Sequence, residues 1–161
     1  MAIMTEQEAK SFLHGMFSAF NNADWDLLYK EFMWEDCWFI NGEGAFSGKD
    51  HTVQYYEKML KIGRKETLHD PFNVFVKDNW IAAELFLDWD FTIDTVYAEM
   101  PFKKGDRILL RTAETYLLRN GKAERITIYR LCPWVLTPWR NRLNEFEKIV
   151  NNVPKGIGKP E

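Results

Sequence analysis

The sequence predicts an α+β fold in which helices come first and a curved, mostly antiparallel sheet comes last. Three observations predict it. Apolar residues recur at helical spacing in the first third of the chain. They alternate in twos through most of the remainder. The alternating runs are separated by turn signals at Asp78-Asn79 and Arg119-Asn120-Gly121. No internal repeat or linker breaks this order, so residues 1–161 are expected to form a single domain. That length buries roughly two thirds of the surface of an unfolded chain.

The first helix opens on a capping box, Thr5-x-x-Glu8, and carries Ala9, Phe12, Leu13, Met16, Phe17 and Phe20 on one face, with His14 opposite. Asn21-Asn22 ends it. Asp24 caps a short second helix packed by Leu27, Leu28 and Phe32. Glu35 to Asn41 reads as a short strand, and NGEGAFSG as a glycine-rich turn that lacks the phosphate-loop patterns. Ser47 and Asp50 open a third helix holding Val53, Tyr55, Tyr56, Met59 and Leu60, which stops at Gly63. Leu68 to Lys77 is a strand broken near its start by Pro71. Trp80 to Phe91 follows, with Ile81, Ala83, Leu85, Leu87, Trp89 and Phe91 on one side and Glu84, Asp88 and Asp90 on the other. Residues 94 to 106 form a loop or ragged strand. Arg107 to Leu118 and Lys122 to Leu131 are the last strands. Thr137-Pro138 caps a final short helix before a fraying tail.

Composition excludes several classes. Net charge is −3 with scattered basic residues, so no footprint for nucleic acid or acidic lipid exists. Cys37 and Cys132 are isolated, and reduced thiols in a cytoplasmic protein are expected. The start MAIMTEQEAK is no secretory signal, and no run of eighteen apolar residues spans a membrane. Seven Trp, twelve Phe and six Tyr are an excess of rings, which builds either a large-ring core or a pocket for flat apolar ligands.

The register across Arg119-Asn120-Gly121 decides which residues face inward. A two-residue Asn-Gly turn pairs Arg119 with Lys122 and puts Glu114 on a face with Thr127. A three-residue loop pairs Leu118 with Lys122 and puts Glu114 with Ile126, Ile128 and Arg130. The residues alone leave the two even. In the second case Arg107 and Arg111 share an outer face and can meet Glu84, Asp88 and Asp90 as exposed ion pairs, each worth well under about 1 kcal/mol.

Helix, short helix, strand, long helix and then a bent sheet resembles the nuclear transport factor 2-like superfamily. The nearest look is to its SnoaL-type polyketide cyclase and ketosteroid isomerase branches. The resemblance runs from about Phe12 to Leu131 and rests on FNNADWDLL, EDCWFIN, the Gly48 entry to the third helix, and AETYLLRNGK. It implies a cone-shaped α+β barrel: three N-terminal helices on a strongly curved sheet, with a deep apolar mouth and association as a homodimer through the outer sheet face. It also favours the three-residue loop. The pocket it implies is walled by Met16, Trp38, Tyr55, Leu85, Leu87, Trp89, Tyr116, Ile126 and Ile128. The ketosteroid isomerase pattern wants a carboxylate base where this chain has Ile40 and Asn41, and a helix tyrosine where it has Met16. Tyr56 matches the supporting tyrosine, and Glu114 falls where that family keeps a protonated acid. The epoxide hydrolases need polar groups at Leu85, Leu87 and Ile128, and the acid of the cyclases is here Arg130 or Leu131. The familiar forms of ketosteroid isomerisation and epoxide hydrolysis are therefore not expected.

What remains is a carboxyl, Glu114, with Arg130 and Tyr56 as catalytic partners and His69 as a possible base at the mouth. A carboxyl walled by apolar groups is costly to ionise and suits proton transfer near neutral pH. If Arg130 reaches Glu114, the pair instead holds it charged. The sequence carries no cofactor motif, and three scattered histidines do not suggest a metal site. Two readings follow. One is a cofactor-free enzyme that isomerises, cyclises or dehydrates a small polyketide- or terpenoid-like carbonyl compound. The other is a non-catalytic binding or dimerisation module, in which Glu114 and Arg130 tie strands together. They differ in whether Glu114 lines an open cavity or is sealed by packed rings.

Overall fold

The computed structural model describes residues 4–42, 44–97 and 100–137, with side chains through residue 129. Helix α1 (Glu6–Asn21) starts at the expected box: Glu8 N–H donates to Thr5 Oγ1 at 3.2 Å, and the Glu8 carboxylate accepts from Thr5 N–H at 2.7 Å. Its buried stripe is Ala9, Leu13, Met16, Phe17 and Ala19. A short α2 (Trp25–Leu27), capped by Asp24, continues as a π-helical turn through Phe32, and α3 spans Lys49–Lys61. The three helices pack on a strongly curved, mixed sheet that forms a half-barrel.

The sheet runs β2 (Gly44–Ser47), β1 (Met33–Asn41), β9 (Lys122–Thr137), β8 (Arg107–Arg119), β5 (Trp80–Phe91) and β3 (Arg64–Leu68), with β4 (Asn73–Lys77) on the remaining length of β5. Among the described residues only β1 and β9 pair in parallel; the other pairs in this sheet are antiparallel. The glycine-rich segment is not only a turn, because β2 forms inside it. Its Phe46 stacks on Phe39 at 5.5 Å and on Tyr55 at 5.0 Å, enough apolar contact to hold a short edge strand. The strand expected over Leu68 to Lys77 is two strands. Pro71 lacks an N–H for the ladder, and the chain crosses there from one end of β5 to the other. The ragged stretch holds a small hairpin, β6 (Thr95–Tyr97) and β7 (Met100–Phe102). The C-terminal helix expected after Thr137 lies outside the described residues.

The late hairpin corrects the loop length and keeps the facing. Arg119 pairs with Lys122, so Asn120-Gly121 is a two-residue turn with φ of 51° and 79°, the positive values that match strand twist. A bulge follows: Leu118 pairs with Ala123 but Leu117 with Arg125. The extra residue, Glu124, shifts the ladder by one, so Tyr116 pairs with Ile126 and Glu114 with Ile128. The bulge does what the longer loop was expected to do.

Among the described residues two apolar clusters result. The larger lies between α1, α2 and the sheet and includes Leu13, Phe17, Leu85, Tyr116 and Ile126; the smaller holds Leu87, Trp89, Phe91, Phe102, Ile108 and Leu110. On the outer face Arg111 meets Glu84 at 3.2 Å and Arg107 meets Asp90 at 3.4 Å. Asp88 is not exposed as expected. Its side chain is 1 % accessible because His69 and Arg107 both close over it.

Candidate active site

Four strands and both long helices converge on one cavity. β8 brings Glu114 and Tyr116, β9 brings Ile126 and Ile128, β3 brings Glu66 and Leu68, and β1 brings Met33 and Phe39. Met16, Phe17 and Phe20 of α1, Leu28, and Tyr56 of α3 close the other side. Strand alternation explains the first group, since residues two apart share a face. Helical spacing explains Tyr56, which belongs to the buried row Thr52, Tyr56, Met59. The free space is about 30 Å³, room for one or two waters.

Glu114 is 2 % exposed. The Tyr116 hydroxyl donates to its Oε2, and Thr112 Oγ1 donates to Oε1 at 3.4 Å. Burial, with Glu114 beside it, pushes the Tyr116 hydroxyl well above the ordinary tyrosine range, so Tyr116 is a neutral donor. Tyr56 is raised in the same way, by burial first and then by Glu66, Tyr55 and Glu114. The Tyr56 phenol therefore feels both cavity carboxyls.

Glu66 is the second carboxyl. Its side chain is 7 % exposed, it accepts from Trp89 Nε1 at 2.6 Å, and it lies 4.0 Å from Arg64 Nη2. Arg64 is itself 1 % exposed, set between the rings of Trp89 at 4.3 Å and Tyr97 at 4.5 Å. It donates to the hydroxyls of Tyr97 and, at 3.2 Å, of Tyr55. Burial acts against its charge, but Glu66, Tyr55 and Tyr97 outweigh burial and hold the guanidinium above its ordinary value.

A second hollow of about 110 Å³ lies outside the first, between the α1–α2 turn, the end of α3 and the start of β3. Phe20, Tyr56 and Glu66 line both spaces. The Phe20 and Tyr56 rings form a partition: Phe20 meets Tyr56 edge-on at 4.7 Å, and Trp25 stacks on Tyr56 at 5.8 Å. Asn21 ties this corner down through paired hydrogen bonds of 2.8 Å with the Leu68 backbone.

Of the expected site residues, the structure brings Glu114, Tyr56, Tyr116, Ile126, Ile128 and Met16 together at the cavity. Leu85, Leu87 and Trp89 are buried in the two cores and do not line it, and Tyr55 packs beside it against Phe46 and Tyr56. Trp38 does not line it either. It is 51 % exposed, because the alternation of β1 buries Cys37 and Phe39 instead. His69 does not stand at the cavity: its Nε2 meets Asp88 Oδ2 at 2.7 Å on the outer side of β5. The Arg130 backbone pairs with Thr112, two residues from Glu114; its side chain lies outside the described residues. Glu66 was missed because the strand was expected to begin at Leu68. The signal was the alternation Arg64, Glu66, Leu68 directly after Gly63.

No protein-family model matches the chain, and no curated protein matches it in sequence. Solved structures do match in fold. A proposed polyketide cyclase from Xanthomonas campestris pv. campestris is 24% identical, with a TM-score of 0.64 over 77% of this chain and 90% of that one. A proposed polyketide cyclase from Pseudomonas putida KT2440 is 23% identical, with a TM-score of 0.61 over 75% and 90%. An LEH-like epoxide hydrolase of Mycobacterium tuberculosis is 14% identical, with a TM-score of 0.56 over 78% and 84%. The chain thus has the cone-shaped nuclear transport factor 2-like fold.

Proposed function

We infer that this chain is an acid–base enzyme of small-molecule metabolism, working without a cofactor on an apolar carbonyl compound of polyketide or terpenoid kind. The observation that carries the reading is Glu114: a buried carboxyl on an apolar wall, supplied with hydroxyl donors by Tyr116 and Thr112. Such a group exchanges a proton with a bound molecule in surroundings where charge is poorly solvated. Each charge that develops there is therefore felt strongly by nearby dipoles. Tyr56, kept neutral, supplies a donor for a carbonyl oxygen or developing enolate. Isomerisation, closure of a ring by aldol addition, and loss of water all need only these groups. Proteins of the same fold that are proposed polyketide cyclases, or resemble an epoxide hydrolase, support the small-molecule class.

The second reading is a binding or association module, and the small inner space favours it. A thermal-shift screen of cyclic ketones, enones and terpenoid alcohols, followed by turnover of the hits, separates the two. Glu114→Gln keeps the shape and hydrogen bonding and removes the exchangeable acid. We predict a loss of roughly two to four orders of magnitude in turnover with folding retained. Equal turnover in wild type and variant removes Glu114 from the chemistry, and binding without turnover of any hit favours the module.

A further inference from the structure

We propose that Glu66 is a second proton-transfer residue of this site, the base that takes a carbon-bound proton from a ketone lying across the inner cavity and the outer hollow. The proposal rests on the reading above and adds to it the residue opposite Glu114. Three observations carry it. First, among the described residues Glu66 is the carboxyl that lines both spaces, so a molecule joining them passes it. Second, Trp89 and Arg64 both meet its carboxylate at Oε2; among the described residues no hydrogen bond or ion pair engages Oε1. One oxygen is anchored and the other is left to react. Third, the anchor is built rather than incidental. Arg64 is held by two ring faces and two phenols, so its charge stays 4.0 Å from the carboxylate that Trp89 Nε1 anchors at 2.6 Å.

The two carboxyls thus have different surroundings, guanidinium and indole for Glu66, hydroxyls for Glu114, with the Tyr56 phenol close to both. Paired titratable groups in unlike environments take opposite roles in proton transfer. In the step, Glu66 Oε1 forms a bond to the proton on the carbon beside the ketone. The C–H pair becomes a C=C bond, and the carbonyl π pair moves to oxygen, which receives a hydrogen bond from Tyr56. Return of the proton to the same or the conjugated carbon restores the carboxylate, so no oxidant or further reactant is consumed. The substrate class is an enolisable, flat, largely apolar ketone, admitted when the Phe20 and Tyr56 rings part.

The test uses the full chain and 2-tetralone in deuterium oxide, following deuterium uptake by mass spectrometry. Wild type should accelerate uptake over buffer, and Glu66→Gln should lower that rate by about 100-fold or more. The acidic limb of the wild-type rate profile, which reports ionisation of the base, should vanish with it. Glu66→Asp keeps the charge beside Arg64 but withdraws the carboxyl by one methylene. It should melt near wild type and still lose about tenfold or more in exchange. It decides the question if Glu66→Gln does not fold. A merely structural Glu66 predicts lower thermal stability with rate and limb unchanged per folded molecule, which overturns the proposal. Wild-type exchange that Glu114→Gln slows and Glu66→Gln or Glu66→Asp leaves intact also overturns it, while sparing the function proposed above. Wild type that exchanges no faster than buffer overturns both.

Discussion

Cys37, Tyr29, Tyr56 and Tyr116 are all buried, and in each the folded protein holds the proton more tightly than the free side chain does. Burial pushes the Cys37 thiol up to about 12, with Asp36 and Glu124 adding to it. Burial likewise raises Tyr29, Tyr56 and Tyr116 above 10. The unfolded chain ionises its thiols near the ordinary value of 9.0 and its phenols near 10.0. A raised folded value means that the stabilisation is complete below the unfolded value and is lost as pH rises toward the folded one. Stability should therefore be flat below about pH 9 on account of these groups. Above that it should fall, with each ionising group contributing a slope of up to about 1.4 kcal/mol per pH unit. Urea midpoints at pH 8, 10 and 11 check this, and Cys37→Ala should remove the part of the fall that begins near pH 9. A midpoint unchanged between pH 8 and 11 would show that these groups are not held neutral.

At the scale of elements, the site depends on short corrections to regular structure. The Glu124 bulge sets the register that aligns Ile128 with Glu114, and Gly63 lets α3 turn sharply into β3 so that Arg64 and Glu66 point inward. Gly63 and Gly121 have nearly the same left-handed φ, 80° and 79°, but different neighbours. A Cβ at Gly121 would meet nothing within 4 Å, whereas one at Gly63 would lie 2.4 Å from Ile93 Cγ1 and 3.1 Å from the Ile93 backbone nitrogen. Gly121→Ala should cost about 1 kcal/mol, the backbone strain alone. Gly63→Ala should cost roughly 2–4 kcal/mol, since the clash adds to that strain. Chemical denaturation of both variants measures the difference, and equal costs would refute the packing argument. The helices were legible because capping residues and apolar spacing act locally, as at Thr5 and Glu8. β5 and β8 were legible because each buries one face. The bulge was not, since an extra residue in one strand leaves no local mark and is set by the partner strand. Nor was β2, whose pairing depends on Phe39 and Tyr55 arriving from elsewhere in the chain.

For the molecule as a whole, the curved sheet and helices enclose a space too small for the proposed substrate, next to a hollow reached through a partition of rings. Binding therefore requires an opened form, and the apparent affinity is lowered by the fraction of molecules that are open. The partition is suited to this, because Phe20 and Tyr56 meet by edge contacts worth about 1 kcal/mol rather than by a covalent or ionic tie. A crystal structure of the chain soaked with 2-tetralone tests the central claim most directly. The account predicts the ketone inside the cone, its reacting atoms within about 3.5 Å of the Glu114 carboxyl, with the Phe20 and Tyr56 rings displaced from their present contact. A ketone bound only on the outer surface, with the Phe20–Tyr56 partition closed and the inner cavity unchanged, would contradict it.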